Sequence, residues 1–406
     1  MIGVSDRLFL TAAVRGDDNS AFGQDFSFTT YPKFGASYLL VDQGLGTLNS
    51  LRLRGAFGAS GQQPGTNTAT KFFVGTSITD AGGDLSGVRI DNPGNTDLKP
   101  ERSEEWEFGF DATLFDGRLG IEGTYYTRTT TDALIERRLA PSIGLTQVRT
   151  ENIGETRNWG FEALINASII EGRNFGWDMT ISGSTNSNVI NELGEGVEPI
   201  IFGAQAHKEG RPLGAFFDQT FTFNDANGDG IIVGSEITFS DTSEFLGYSQ
   251  PRYELSWFNT FRLGERFRLS GLWDYRGGHK KWNLTERFRC GFNICQGLND
   301  PSSSLQDQAN AQTQRSGPGT DAGFIEPGWF IKLREVSLTF IAPQSWAQAL
   351  KLSRFNLVLT GRNLVKIDDY SGFDPEVQGQ TGNFTGRDFL TQPQVRYWLA
   401  RLNLTF

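Results

Sequence analysis

The last strand-like stretch of the chain alternates between apolar and polar residues. Counting back in steps of two from the carboxyl end, the apolar positions are Phe406, Leu404, Leu402, Ala400 and Trp398. The positions between them include Thr405, Asn403 and Arg401. Because successive side chains of a β-strand point to opposite faces, this pattern predicts a strand with one apolar face. A soluble sheet would bury that face, whereas a transmembrane barrel would turn it towards lipid.

The same two-residue period recurs along most of the chain. It is clear at residues 51–60, 106–114 and 267–275, and residues 7–15, 33–41, 330–340 and 355–362 also predict strands. Turn-forming residues between neighbouring stretches predict hairpins, for example at residues 115–118. These signals together predict an all-β chain of about twelve strands. Only residues 345–350, after Pro343, predict a short helix.

The connections between the predicted strands alternate in length. Short connections lie near residues 43–48, 115–118, 171–174, 263–266 and 341–353. Long ones lie near residues 16–32, 61–102, 131–156, 187–250, 277–328 and 364–393. Outer-membrane barrels have short periplasmic turns and long outer loops, so the alternation favours an antiparallel transmembrane β-barrel. It also assigns Phe406 to the periplasmic end.

Composition and charge narrow the class of protein. Of the 406 residues, 13% are aromatic and 49 are glycine, while Met, Cys and His number 2 each, which favours strands and turns over helices. No run approaches the roughly 18 apolar residues of a membrane helix. The net charge of −10 argues against nucleic acid as a partner. The first six residues lack the charged start and apolar core of a signal peptide.

Four groups of residues also carry a family resemblance. They are N-T-D-L-K-P-E at 95–101 with E-W-E-F-G at 105–109, N-I-G-E-T-R-N-W-G-F-E at 152–162, F-I-K-L-R-E-V-S-L at 330–338, and G-R-N-L at 361–364 with Y-S-G-F-D-P-E at 370–376. In sequence and in order along the chain, they resemble the SusC/RagA-like TonB-dependent transporters of the bacterial outer membrane. The match covers most of the chain.

The resemblance implies that the chain is part of a larger transporter. Residues 1–406 would form the carboxyl-terminal part of a plugged barrel of about 22 strands, with signal peptide, plug and first strands absent. The implied function is import of an oligosaccharide or a peptide, with outer-membrane lipid, a SusD-like lipoprotein and the TonB complex as partners. One alternative is a passive, structural or adhesive outer-membrane barrel without energy coupling. Another is a soluble all-β carbohydrate-binding protein, which would stay in solution without detergent.

Residues 225–236 match the twelve-residue calcium loop. Oxygen side chains occupy positions 1, 3, 5 and 12, a glycine occupies position 6, and position 7 offers a backbone carbonyl. The candidate ligands are Asp225, Asn227, Asp229, Ile231 and Glu236. Because residues 216–223 before the loop predict a strand, we expect a structural Ca²⁺ loop within a long outer connection and not an EF-hand pair. The alternative is that Asn-Gly-Asp-Gly only favours a turn.

The remaining chemistry-bearing residues give weaker signals. Cys290 and Cys295 are five residues apart, a spacing that allows a small disulfide or two unpaired thiols. The loop aromatics Phe245, Tyr248, Trp282, Phe292 and Tyr370 could stack on sugar rings or pack the loops together. His207 and His279 are isolated, and no Ser or Cys lies in a recognisable nucleophile turn. We therefore expect that the protein is not an enzyme.

Overall fold

The computed structural model describes residues 2–19, 21, 28–42, 44–80, 82–139, 148–194, 196–379 and 384–406. In chain order, the strands of the described residues are β1 Ile2–Val4, β2 Leu8–Asp17, β3 Thr29–Val41, β4 Leu48–Gln62, β5 Phe72–Asp80, β6 Gly83–Asn92, β7 Glu101–Leu114, β8 Leu119–Thr131, β9 Leu134–Arg138, β10 Val148–Asn152, β11 Glu155–Glu171, β12 Phe175–Glu192, β13 Ile200–Phe202, β14 Gln205–His207, β15 Ala215–Phe223, β16 Ile237–Gly247, β17 Tyr253–Leu263, β18 Phe267–Gly277, β19 Lys280–Asn283, β20 Ile325–Pro327, β21 Phe330–Ile341, β22 Arg354–Asp368, β23 Arg387–Asp388 and β24 Tyr397–Thr405. The helices are α1 Leu284–Gly291, α2 Gln296–Asn299, α3 Leu305–Gln312 and α4 Gln344–Ala349.

One large antiparallel sheet contains most of these strands. Among the described residues it has 13 strands in the order β1-β2-β3-β4-β7-β8-β11-β12-β17-β18-β21-β22-β24. Each of these strands therefore pairs with its neighbour in chain order, apart from the short strands that lie in the long connections. The predicted all-β antiparallel architecture is confirmed, and the short strand β1 adds one to the predicted number.

The connections follow the predicted alternation. Short turns join β1 to β2, β3 to β4, β7 to β8, β11 to β12, and β17 to β18. The connection from β21 to β22 lies at the same end and contains helix α4, and long segments join the other pairs of neighbouring strands. The β7–β8 turn shows how the short ones form, because Phe115, Asp116 and Gly117 all have positive φ, at 53°, 54° and 87°. Successive left-handed residues match the twist of the flanking strands and suit a tight hairpin. All long connections thus leave from one end of the sheet.

The apolar face of the last strand continues across the sheet. Ala400 pairs with Leu359, which pairs with Leu338, and the same level continues through Leu269 to Phe261. On the opposite half of the sheet, the exposed rings of Trp106 and Phe108 lie on one face. The predicted alternation of β24 is therefore part of a sheet-wide apolar surface.

In the described part of the chain, no helix is long and apolar enough to cross a membrane.

The long connections contain their own secondary structure, and the expectation of a single helix is wrong. Helix α4 lies where it was predicted, but helices α1 to α3 occupy the long connection between β18 and β21. The Asn283 side chain accepts from the amide of Glu286 at the start of α1, and the Ser304 side chain accepts from the amide of Asp307 at the start of α3. These caps replace hydrogen bonds that short helices lack at their ends.

Two of the long connections pack into one unit, which we call the loop cap and define as residues 200–247 and 280–327. Its strands β13 to β16 form a small sheet, and its helices lie between β19 and β20. The largest apolar cluster of the loop cap includes Ala204, Phe216, Trp282, Leu284, Cys290, Cys295, Ala311, Phe324 and Ile325. Because this cluster is buried within the connections themselves, the loop cap has a core of its own.

Candidate functional site

Polar side chains line the face of the large sheet opposite the apolar one, and we call this face the inner wall. At one level the cross-strand pairs run from Arg54 through Gly109 and Thr124 to Glu162, Ser184 and Glu254. The acidic groups that line a depression there are Glu107, Glu122, Glu162 and Glu254. Arg54 donates to Asp111 at 3.1 Å and to Thr124 at 2.6 Å. Carboxylates thus outnumber cations along this part of the inner wall.

A β-bulge at Arg334 changes the alternation of strand β21. On the β18 side, Glu335 lies opposite Leu272 and Leu333 lies opposite Trp273, so Arg334 is the extra residue. A bulge of this kind re-aims the side chain it carries. As a result, two consecutive residues bind charged partners: Arg334 binds Asp274, and Glu335 binds Arg362 at 2.7 Å.

Lys332 and Arg334 form a buried ion network with three carboxylates. The Lys332 Nζ atom lies 2.8 and 2.7 Å from the two oxygens of Asp374 and 2.7 Å from Glu376 Oε2. Arg334 donates to Glu376 at 2.6 and 2.7 Å and to Asp274 at 2.6 Å. The side chains of Lys332 and Asp374 are only 5% and 6% exposed. Such charges can be buried because each one is paired with a side chain of opposite charge.

This network changes the pKa of Glu376. Burial alone would raise the pKa of its carboxyl group, but hydrogen bonds from Arg334 and Lys332 lower that pKa to about 2. Glu376 is therefore ionised throughout the physiological range. The motif Asp374-Pro375-Glu376 lies within one of the family-like blocks, yet its partners on β21 and β18 were missed from the sequence.

We call residues 370–379 and 384–390 the strap, because this segment runs from the ion network to the loop cap. The Tyr370 hydroxyl donates to Asp388 Oδ2 at 3.0 Å, and the amide of Trp282 donates to the carbonyl of Gly386 at 2.9 Å. The buried ammonium of Lys281 donates to the carbonyl of Val377. The strap therefore links the loop cap to the inner wall.

Burial also changes the pKa values of polar groups in the strap and beside it. It raises the pKa of the Tyr370 hydroxyl, and the nearby Asp388 carboxylate adds to that rise. It lowers the pKa of Lys281 to about 8, although the carboxylates of Asp388, Asp374 and Glu376 act in the opposite direction. Both groups therefore act as hydrogen-bond donors at neutral pH.

The loop aromatics divide between packing and exposure. Trp282 and Tyr370 are buried, and Phe245 packs edge-on against Phe217 at 5.6 Å between ring centroids. Phe292 is 70% exposed, at the tip between Cys290 and Cys295. The two cysteines are joined as a disulfide with their Cα atoms 4.7 Å apart, and they lie in α1 and just before α2, not in an extended loop. Packing thus accounts for most of the aromatic residues singled out from the sequence.

The surroundings of His207 indicate a structural role. It is buried, its ring stacks on Phe384 at 4.4 Å between centroids, and its Nδ1 atom accepts from the amide of Gly214 at 3.0 Å. Burial lowers the pKa of His207 to about 4, so the ring is neutral at physiological pH. A neutral ring is what the accepted hydrogen bond requires.

The calcium-like loop lies between β15 and β16, and the strand expected before it is confirmed. Asp225 accepts from the amides of Gly228 and Gly230 at 2.8 and 2.9 Å. Asp229 accepts from the amide of Ile231 at 2.8 Å, and Glu236 accepts from that of Val233 at 3.0 Å. The loop is thus wrapped around its own acidic side chains. Their carboxylates do not form a group within 4.8 Å of one another, so a cation would have to draw them together.

Comparison with known proteins agrees with this geometry. The family model described as TonB dependent receptor-like, beta-barrel matches residues 1–285. TonB-dependent receptor P3 of Formosa agariphila is 24% identical over 460 residues, which cover 99% of this chain and 44% of the relative. TonB-dependent receptor SusC of Bacteroides thetaiotaomicron is 24% identical over 455 residues, which cover 99% of this chain and 42% of SusC. The chain therefore spans less than half the length of these relatives.

Solved structures show the same fold. The RagAB peptide transporter superposes with a TM-score of 0.82 at 20% sequence identity, covering 100% of this chain and 46% of that one. The 'open-open' state of the RagAB peptide importer superposes with a TM-score of 0.80. Together with the family match, this fold excludes a soluble all-β carbohydrate-binding protein. The chain belongs to the TonB-dependent receptor β-barrel family, as a SusC/RagA-like barrel segment of the bacterial outer membrane.

Proposed function

We propose that the chain is part of a SusC-like transporter that imports a nutrient across the outer membrane and depends on TonB for energy. The observation that carries this proposal is the polar inner wall, which lies opposite a sheet-wide apolar face in a member of the TonB-dependent receptor family. A polar lumen is what a water-filled route through a barrel requires. The proposed role is transport and not catalysis.

The proposed substrate is an oligosaccharide or a peptide. Glu107, Glu162 and Glu254 accept hydrogen bonds, while Thr124 and Ser184 can both donate and accept. Sugar hydroxyls and peptide amides both match such a surface. The RagAB relative is described as a peptide transporter, which supports the peptide class by analogy of fold only. We further propose that a SusD-like lipoprotein covers the loop cap and that the TonB complex acts from the periplasmic side.

Deletion of the gene in its host tests this proposal. We expect the deletion strain to lose uptake of one class among labelled oligosaccharides and peptides. A strain that lacks TonB should lose the same uptake, because both lesions remove one energy-coupled route. Uptake that requires this gene but persists without TonB would favour the passive barrel. No change in uptake of either class would favour a structural or adhesive role.

We also propose that residues 225–236 bind Ca²⁺ as a structural ion, with Asp225, Asn227, Asp229, Ile231 and Glu236 as ligands. The twelve-residue spacing of oxygen groups supports this, because calcium takes six to eight hard oxygen ligands. Bound calcium would offset two of the three negative charges of Asp225, Asp229 and Glu236, which lie close together in sequence. The loop would then stiffen the connection between β15 and β16.

Calcium titration of the purified chain in detergent tests the ion site. We expect calcium to raise the thermal midpoint, and we expect Asp229→Ala to abolish that increase. Asp241→Ala serves as the matched control, because Asp241 is exposed on β16 outside the loop. If saturating calcium leaves the midpoint of the unmodified chain unchanged, the motif is only a turn.

A further inference from the structure

Helix α3 contacts the calcium-like loop through a buried glutamine. The Gln308 side chain is 3% exposed, although it lies within the long connection between β18 and β21. Its Oε1 atom accepts from the amide of Ile232 at 2.9 Å, and its Nε2 atom donates to the carbonyl of Gly230 at 3.1 Å. These two backbone groups flank Ile231, whose carbonyl is one of the proposed calcium ligands. Gln308 thus forms hydrogen bonds to the backbone on both sides of Ile231.

Apolar packing reinforces the same contact. Ile232 is 1% exposed and clusters with Ile237 and with Ala309, the residue that follows Gln308 in α3. Phe221, Phe223 and Phe239 pack around this cluster. A buried apolar side chain at this position excludes water from the hydrogen bonds beside it, which makes an unpaired group there costly. The loop cannot leave α3 without exposing Ile232 and breaking both bonds.

Helix α3 also contacts the disulfide-bridged part of the loop cap. Ala311 belongs to the same apolar cluster as Cys290 and Cys295. Gly297 of α2 lies against the backbone of α3, because a Cβ atom added there would be 2.4 Å from the carbonyl oxygen of Asp307. Packing therefore continues from the loop through α3 to α1 and α2.

From these contacts we infer that residues 225–236 and helix α3 open as one cooperative unit, coupled through Gln308 and Ile232. The contacts that carry this inference are independent of any ion. If the calcium proposal above holds, calcium in the loop stabilises helix α3 and the disulfide-bridged core, and not the loop alone. Calcium binding would then stabilise the loop cap as a whole.

Hydrogen exchange of the full chain in detergent, first in calcium-free buffer, tests the coupling. We expect Gln308→Leu to accelerate amide exchange at least tenfold in both residues 225–236 and residues 305–312, because it leaves the buried amide of Ile232 and the partly buried carbonyl of Gly230 unpaired. Gln306→Leu is the matched control on the same helix, since Gln306 is exposed and its side chain donates to Asn310 in that helix. Gln306→Leu should change neither segment by as much as threefold.

The outcomes separate the two proposals. Acceleration of one segment alone by Gln308→Leu, or of neither, overturns the coupling. In a second arm, calcium is added to the unmodified chain, and the coupling predicts slower exchange in both segments. If calcium protects only residues 225–236, the ion site stands and the coupling is wrong. If calcium protects neither segment, the ion site is wrong, and the calcium-free arm alone decides the coupling.

Discussion

Replacing Lys332 with methionine tests whether the buried ion network holds the strap against the inner wall. Lys332→Met keeps the length of the side chain and removes its charge. The native network contains two cations, Lys332 and Arg334, and three carboxylates. The variant would leave Asp374, which is 6% exposed, without its cation.

The expected cost follows from this loss of pairing. Breaking a buried ion pair by removing one partner typically costs about 3–5 kcal/mol, because the remaining charge stays buried. Asp374 keeps one hydrogen bond, from the amide of Glu376 at 3.0 Å, so we expect a value near the lower end. A loss of about 3 kcal/mol corresponds to a roughly hundredfold increase in the opening equilibrium of the strap.

Hydrogen exchange measured by mass spectrometry on the chain in detergent would detect this opening. Residues 370–379 include the amide of Val377, which donates to Asp374, and that of Gly379, which donates to Arg387. Their exchange should accelerate roughly a hundredfold, while strand β11 should keep its protection. Lys99→Met is the matched control, because Lys99 pairs with Asp132 at 2.8 Å but is 43% exposed. Such a pair contributes about 1 kcal/mol or less.

A double variant tests whether the unpaired charge of Asp374 causes the faster exchange. Lys332→Met with Asp374→Asn removes both charges of the pair, so it should recover most of the lost protection. Equal exchange in Lys332→Met and Lys99→Met would contradict the assigned role of the network. So would a double variant whose strap exchanges as fast as that of the single variant.

Three further predictions concern other parts of the chain. The pKa of His207 is lowered from 6.5 to about 4, so the stability it contributes is complete above pH 6.5 and is lost as the pH falls towards 4, by up to roughly 3 kcal/mol. His207→Gln keeps an acceptor for Gly214 and should flatten the pH dependence of unfolding in this window, whereas an unchanged dependence would show that His207 does not cause it. Gly160→Ala places a Cβ atom 2.0 Å from the carbonyl oxygen of Thr185 and should cost about 3 kcal/mol or more, seen as a smaller folded fraction in heat-shift electrophoresis. Gly75→Ala, which meets nothing within 4 Å, is its control, and equal folded fractions would refute the clash. Replacing Cys290 and Cys295 together with serine should accelerate exchange in α1 roughly thirtyfold, and an unaltered rate would mean that the disulfide adds nothing to that helix.

The strands and the direction of the chain could be predicted from sequence because their signal is local. A period of two places alternate residues on opposite faces, so Leu402 and Asn403 reveal their environments without any knowledge of the neighbouring strand. Connection length then gives the end at which each turn lies. Both features are local, so they can be recognised without knowing the tertiary contacts.

The loop cap and the ion network are harder to predict because their contacts join distant residues. Lys332 and Asp374 are 42 residues apart, and Gln308 and Ile232 are 76 apart. Short helices such as α3 depend on tertiary packing for stability, so their periodicity is weak. Two local signals were nevertheless present: the consecutive charges of Arg334 and Glu335 interrupt the alternation of β21, and Ser304 with Asp307 has the spacing of a helix cap.

The separate core of the loop cap has a consequence for how this barrel can change over time. Its apolar cluster is formed by residues of the long connections, whereas the large sheet relies on its own alternating faces. Substitutions on the surface of the loop cap can therefore change that surface without disturbing the pattern that inserts the strands into the bilayer. The strap must stay compatible with both parts, so the Asp374-Pro375-Glu376 motif is the place where the packing of the loop cap and the packing of the sheet constrain each other.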